Sequence, residues 1–173
     1  MNKPWITKLG RNYQKYFIRI VPGCEIMDAI KKFAELPENK RKFITFSGIG
    51  GGYTKVKLTF SQSEKLHGES SSTITVPKNE MLELTSFQGN ITQIDGKIFV
   101  HAHGVFSDKN SNKIYSGHVV EAQLVENNGL TGEIVAEVYD VEIDRIMDEE
   151  SGLPLKFTSK EYEKNKKFPM NDE

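Results

Sequence analysis

The residues best suited to chemistry concentrate in one stretch, IFVHAHGVFSDKNSNKIYSGH, which carries His101, His103 and His118, three of the chain's four histidines. A neutral imidazole offers one lone-pair nitrogen. Clustered histidines therefore either ligate a metal or leave several polar nitrogens in need of partners. Residues two apart on a strand point to one face, which projects His101 and His103 together. The polar segment SDKNSNK reads as a turn and IYSGHVVEA as the returning strand. With the hairpin centred between Asn110 and Ser111, His103 faces His118 and His101 faces Val120. Opposed side chains then stand roughly 4.5–5.5 Å apart at Cβ, near enough for one ion at ~2.0–2.1 Å from each ring. The expected ligand set is His101, His103 and His118, and the expected ion a divalent metal. Zn2+ suits such a site best, with Fe, Ni and Mn as the other candidates.

A slip of one residue in this register would throw His118 to the other face. That other face carries Val100, Ala102, Phe106, Tyr115 and Val119, and its apolar character argues for the register. Gly104 and Gly117 are expected to leave room beside the rings. The competing reading is three strand histidines satisfied separately by backbone or water. Hydrolysis by a metal-activated water would also need a carboxylate base. Glu121 falls on the wrong parity for that role and Asp108 falls in the turn, so no catalytic residue is assigned. His67, in a serine-rich loop, reads as a solvent histidine. Cys24, at the start of a helix, reads as a small buried hydrophobe rather than a reactive thiol.

A hairpin of this kind needs a sheet behind it. YFIRIVPG (Tyr16 to Gly23) reads as a strand stopped by Pro22-Gly23. In CEIMDAIKKFAELPENKRK, Ile26, Ile30, Phe33 and Ala34 recur at helical spacing and Pro37 ends the pattern, so a helix is predicted from about 25 to 36. From Phe43 onward the period drops towards two, with turns at Gly48 to Gly52, Asp95-Gly96, Asp108 to Asn112 and Asn127 to Gly129. SGIGGG (Ser47 to Gly52) resembles a phosphate cradle, but such a cradle opens a helix. Here the alternating strand YTKVKLTF follows, so the glycines are expected to serve a tight reversal or a close backbone approach. Residues 61–77 read as a polar loop, with a short strand after it.

The 173 residues, 37% hydrophobic and 27% charged, suffice for one core. No run reaches the ~18 apolar residues of a membrane helix, and the N-terminus lacks the features of a secretory signal. A single cysteine fits a reducing, cytoplasmic setting. A net charge of −1, with basic residues scattered apart from NKRK and KEYEKNKKF, argues mildly against nucleic acid. The expectation is one α+β domain, mostly antiparallel sheet with one amphipathic helix. It spans residues 16–157, between an N-terminal extension (1–15) and a polar tail (158–173).

In order, FITFSGIGGG, LELTSFQGNI, DGKIFVHAHGVFSD, SGHVVEAQLV and EIVAEVYD resemble the PPC (plant and prokaryote conserved) domain, and RIMDEESGLPL resembles its closing segment. The resemblance implies a compact α+β fold, assembly as a homotrimer, and a metal at the positions of His101, His103 and His118. In plants the domain follows an AT-hook in DNA-binding proteins. This chain has no RGRP-type hook, which removes that means of minor-groove binding. Ser116 stands where a second glycine is usual. The functional expectation is a metal-dependent small-ligand binder or sensor, with a DNA-binding module as the alternative. A cupin-like metalloenzyme is weaker still, because GVFSD after His103 lacks the glutamate that such a site requires.

Overall fold

The computed structural model describes residues 13–61, 69–75, 80–126, 131–149 and 154–156. In chain order these form β1 (Tyr13–Ile20), α1 (Ile26–Glu35), β2 (Phe43–Ile49), β3 (Gly52–Ser61), β4 (Glu69–Thr75), β5 (Leu82–Ile94), β6 (Lys97–Asp108), β7 (Lys113–Leu124), β8 (Gly132–Tyr139), β9 (Asp144–Met147) and β10 (Pro154–Leu155). The sheet order is β1-β8-β2-β5-β6-β7-β3-β4, and β9 joins β5 in a parallel pairing. The α+β expectation, antiparallel sheet with one substantial helix, matches this architecture.

Sheet curvature follows from β3. It pairs with β7 along most of its length and with β5 through Gly52 opposite Glu83 and Tyr53 opposite Leu82. Strands β5, β6, β7 and β3 thus close on one another around Tyr53, Phe87, Phe106, Leu58 and Leu84, all buried. Tyr53 meets Phe106 edge to face at 5.4 Å. Helix α1 contributes Ile26, Ile30 and Ala34 to the same core. Full burial of each large apolar side chain is worth about 1.5–3 kcal/mol.

The helix begins where the sequence predicts, and Glu25 holds it there. Its carboxylate accepts from the backbone N–H groups of Met27 (3.0 Å) and Asp28 (2.7 Å), and also from Ala122 of β7 (2.8 Å). One side chain caps the helix and ties it to the sheet. At the other end, Asn39 Nδ2 donates to the Phe33 carbonyl at 2.9 Å.

The glycine stretch does something other than the expected reversal. Gly48 lies opposite Phe87 and Gly52 opposite Glu83, so β2 and β3 follow β5 in one unbroken register. Gly50 and Gly51, at φ 79° and 84°, bend the strand without turning it back. Positive φ at two successive positions is cheap only for glycine. The bend moves the chain off β8 and onto β7, which closes the core.

Two other boundaries differ. β1 begins at Tyr13, three residues before the expected strand, because its pairing with β8 extends to Tyr139. Residues 69–75, inside the expected polar loop, form β4 on the edge of β3. His67, the Asn127–Gly129 turn, residues 1–12 and the tail at 158–173 lie outside the described residues. Among the described residues, no helix is long and apolar enough to cross a membrane.

Candidate metal centre

Strands β6 and β7 form the expected hairpin in the expected register, from Asp108 opposite Lys113 to His103 opposite His118. The expected His101–Val120 opposition lies beyond the end of that ladder. Asp108 builds the turn. Its carboxylate accepts from the N–H of Asn110 (2.9 Å) and the hydroxyl of Ser111 (2.6 Å), and the hydroxyl bond foremost holds its pKa below the ordinary range. On one face of the hairpin, Ala102, Phe106 and Val119 are fully buried. On the other, the rings of His101, His103 and His118 gather with centroids 5.1–5.4 Å apart, and one nitrogen from each lies within 4.8 Å of the others. His103 is exposed and the other two are half-buried.

Neighbouring strands fix this arrangement. β5 sets Asn90 opposite His101 and Gln88 opposite His103. Gly89, between them, touches the His101 carbonyl and the Phe46 ring so closely that no Cβ fits there. The GNI motif is thus a packing requirement for the strand that carries His101. Gly104 does not open space beside the rings as expected. A Cβ there would meet Val119 and Phe106, so its small size serves the core.

Glu121 also requires correction. Lys57 lies opposite Glu121 and Leu58 opposite Val119, so Val120 is the extra residue of a bulge. The bulge shifts the parity and puts Glu121 on the histidine face. There it accepts from Lys55 Nζ at 2.7 Å.

The sequence reading did not find Arg145. Strand β9 runs parallel to β5, with Arg145 opposite Ile94, and the side chain is 9% exposed. Its Nε donates to Thr92 Oγ1 (2.9 Å), Nη1 to the Pro154 carbonyl (2.8 Å) and Nη2 to Asn90 Oδ1 (3.1 Å). Nη2 also lies 3.4 Å from His101 Nδ1, and the guanidinium carbon sits 4.9 Å from the centre of the Phe99 ring. A guanidinium only donates, so Nδ1 is the acceptor and the His101 proton belongs on Nε2. Lys156 Nζ lies 4.9 Å from the centre of the Phe43 ring. Burial, then Arg145, His118, His103 and Lys156, push the His101 pKa down to about 4. Burial also lowers Arg145, and burial followed by Arg145 lowers Lys156.

The donor set fits a borderline divalent cation: three imidazoles, and His101 held neutral. Tetrahedral coordination at ~2.0–2.1 Å draws its donors to roughly 3.4 Å apart, a contraction within reach of small ring rotations.

A curled antiparallel sheet with three imidazoles converging on the face opposite its core defines a candidate metal-binding α+β domain. The profile of the Plants and Prokaryotes Conserved (PCC) domain matches residues 8–139, and the chain belongs to that family. No curated protein matches it. Solved structures share the fold. A plant- and prokaryote-conserved protein of Pyrococcus horikoshii is 24% identical, with TM-score 0.71 over 87% of this chain and 96% of its own. A protein of Archaeoglobus fulgidus named as metal-containing is 21% identical, with TM-score 0.69 over 86% and 98%. A Bacteroides thetaiotaomicron protein provisionally named as DNA-binding is 25% identical, with TM-score 0.68 over 83% and 94%.

Proposed function

We propose that this protein is a cytoplasmic, homotrimeric metal-binding member of its family that binds or senses a small ligand. His101, His103 and His118 hold one divalent ion per subunit, Zn2+ first among the candidates. The convergence of three ring nitrogens within 4.8 Å carries the reading. The metal-containing name of the Archaeoglobus fulgidus protein of the same fold supports it. A bound ion would supply Lewis acidity and an open coordination position for a ligand. The chain's own residues do the positioning: Gly89 lets β5 and β6 pack closely at His101. For assembly, an open cavity of about 540 Å3 lined by Phe17, Ile49 and Val135 offers an apolar face, with Phe17 83% exposed.

Elemental analysis of protein purified without an affinity tag is the test. About one metal per chain is expected, and His103→Ala should weaken affinity by more than about 100-fold, since loss of an outer-shell partner already costs 10–100-fold. No metal, as isolated and after zinc reconstitution, would end the reading.

A DNA-binding role is the second reading. It draws on the provisional name of the Bacteroides thetaiotaomicron protein and on a cleft of about 640 Å3 lined by Lys31, Lys40, Arg41 and Lys97. Glu35 lines the same cleft and Glu142 engages Arg41, which weakens its basic character. A salt titration of duplex binding decides it: no binding at about 50 mM salt removes the reading.

A further inference from the structure

We propose that Arg145, supported by Lys156, binds a small oxyanion, a carboxylate or phosphate group, that reaches the centre only after the metal does. The inference rests on the metal reading above and names the ligand chemistry of that site. Its first support is charge. Arg145 is nearly buried and Lys156 half-buried, yet among the described residues the ion pairs are Lys15–Glu137, Arg41–Glu142 and Lys55–Glu121. Among the described residues every acceptor for Arg145 is neutral: Thr92, Asn90, the Pro154 carbonyl and His101. A buried cation without a counter-charge is costly, and natural sites offset it with an anion. A divalent ion on three neutral rings would add two more positive charges beside these.

The second support is the hydrogen bond itself. Arg145 Nη2 uses the lone pair of His101 Nδ1. An ion on Nδ1 would consume that lone pair. An ion on Nε2 would require the ring proton on Nδ1, where it would face Nη2 donor to donor. Either way, metal loading removes an acceptor from Arg145, while Thr92 and Pro154 still hold the guanidinium in place. One N–H of Nη2, whose other N–H stays on Asn90, is then left without an acceptor beside the ion, a charged donor for a carboxylate or phosphate oxygen. Binding is therefore ordered, metal before anion, and the anion replaces the acceptor that the metal takes away.

The experiment uses the full chain loaded with Co2+, with metal content measured for every variant. Malonate and inorganic phosphate are titrated separately, followed by the cobalt visible spectrum and by calorimetry. The loaded wild type should bind at least one of the two, and the metal-free protein should bind about 10- to 100-fold more weakly. Arg145→Gln should lose about 10- to 100-fold at full metal occupancy, and Arg145→Lys less, since it keeps the charge. Should Arg145→Gln fail to fold or to load, Lys156→Met, which leaves the three histidines and the Arg145–His101 contact in place, carries the test with a smaller loss. Equal anion affinity in the loaded wild type and Lys156→Met, or in the loaded and metal-free wild type, would overturn the proposal. Absence of metal from the wild type would instead overturn the metal reading beneath it, and the elemental analysis shows this separately.

Discussion

Two populations of cations divide this molecule. Lys15, Arg41 and Lys55 lie at the surface, with side chains 44–52% exposed, and each holds a carboxylate at 2.7–2.9 Å. Arg145 and Lys156 are more deeply placed and rest on neutral acceptors and aromatic rings. Stability alone would favour the reverse, because water compensates a surface cation well and a buried one poorly. Among the described residues the second group has no carboxylate partner, and Arg145 stands beside His101. The exposed pairs add little to folding, and the placement of the second group fits ligand chemistry.

The sharpest way to break this contrast is to remove one member of each group. In metal-free protein, Arg145→Met strips a donor from buried Thr92 and from the Pro154 carbonyl of β10, and should cost roughly 2–4 kcal/mol. Arg41→Met, in an exposed pair, should cost no more than about 1 kcal/mol. Urea denaturation measures both, and similar costs would mean that the two cations are equivalent. The lysines sharpen the comparison through sign. Lys156→Met removes a half-buried charge and keeps a side chain that packs on Phe43, so it should stabilise by up to about 1 kcal/mol. Lys55→Met leaves Glu121 without its cation and should destabilise by about 0.2–1 kcal/mol.

Legibility in the sequence followed the distance over which each element is determined. The β6–β7 hairpin could be read because alternation, a polar turn and an apolar face of Ala102, Phe106 and Val119 all lie within one short stretch. Helix α1 was equally local. The bend at Gly50-Gly51 could not be read, since turning and bending differ only in what β5 offers alongside. Parity failed for Glu121 because the bulge at Val120 is a property of the pairing with β3. Arg145 meets Thr92 from 53 residues away, through a parallel pairing for which RIMDEESGLPL carries no local signal. Asn90 was visible in the GNI motif, but nothing in that motif said what its side chain would hold.

A pH profile tests the electrostatics of the site most directly. With its pKa pushed down to about 4, His101 is neutral in the folded protein at pH 5, whereas in the unfolded chain it titrates near 6.5. Between these values the unfolded state binds the extra proton, so stability rises with pH across that window. The contribution is fully present above about pH 6.5, fades as the pH falls to about 4, and changes no further below. Asp108 and Glu137 act lower down: each is held below the ordinary carboxylate range, and their contributions fade only as the pH falls through that range. Subtracting the pH profile of metal-free His101→Gln from that of the wild type isolates the histidine. The difference should slope between pH 4 and 6.5 and lie flat on either side. An NMR titration should place the His101 midpoint near 4 and move it upward in Lys156→Met, which removes one of the cations holding it down. A midpoint near 6.5 in the wild type would mean that neither burial nor the Arg145 donors act on the ring, and the contrast between the two groups of cations would lose its chemical basis.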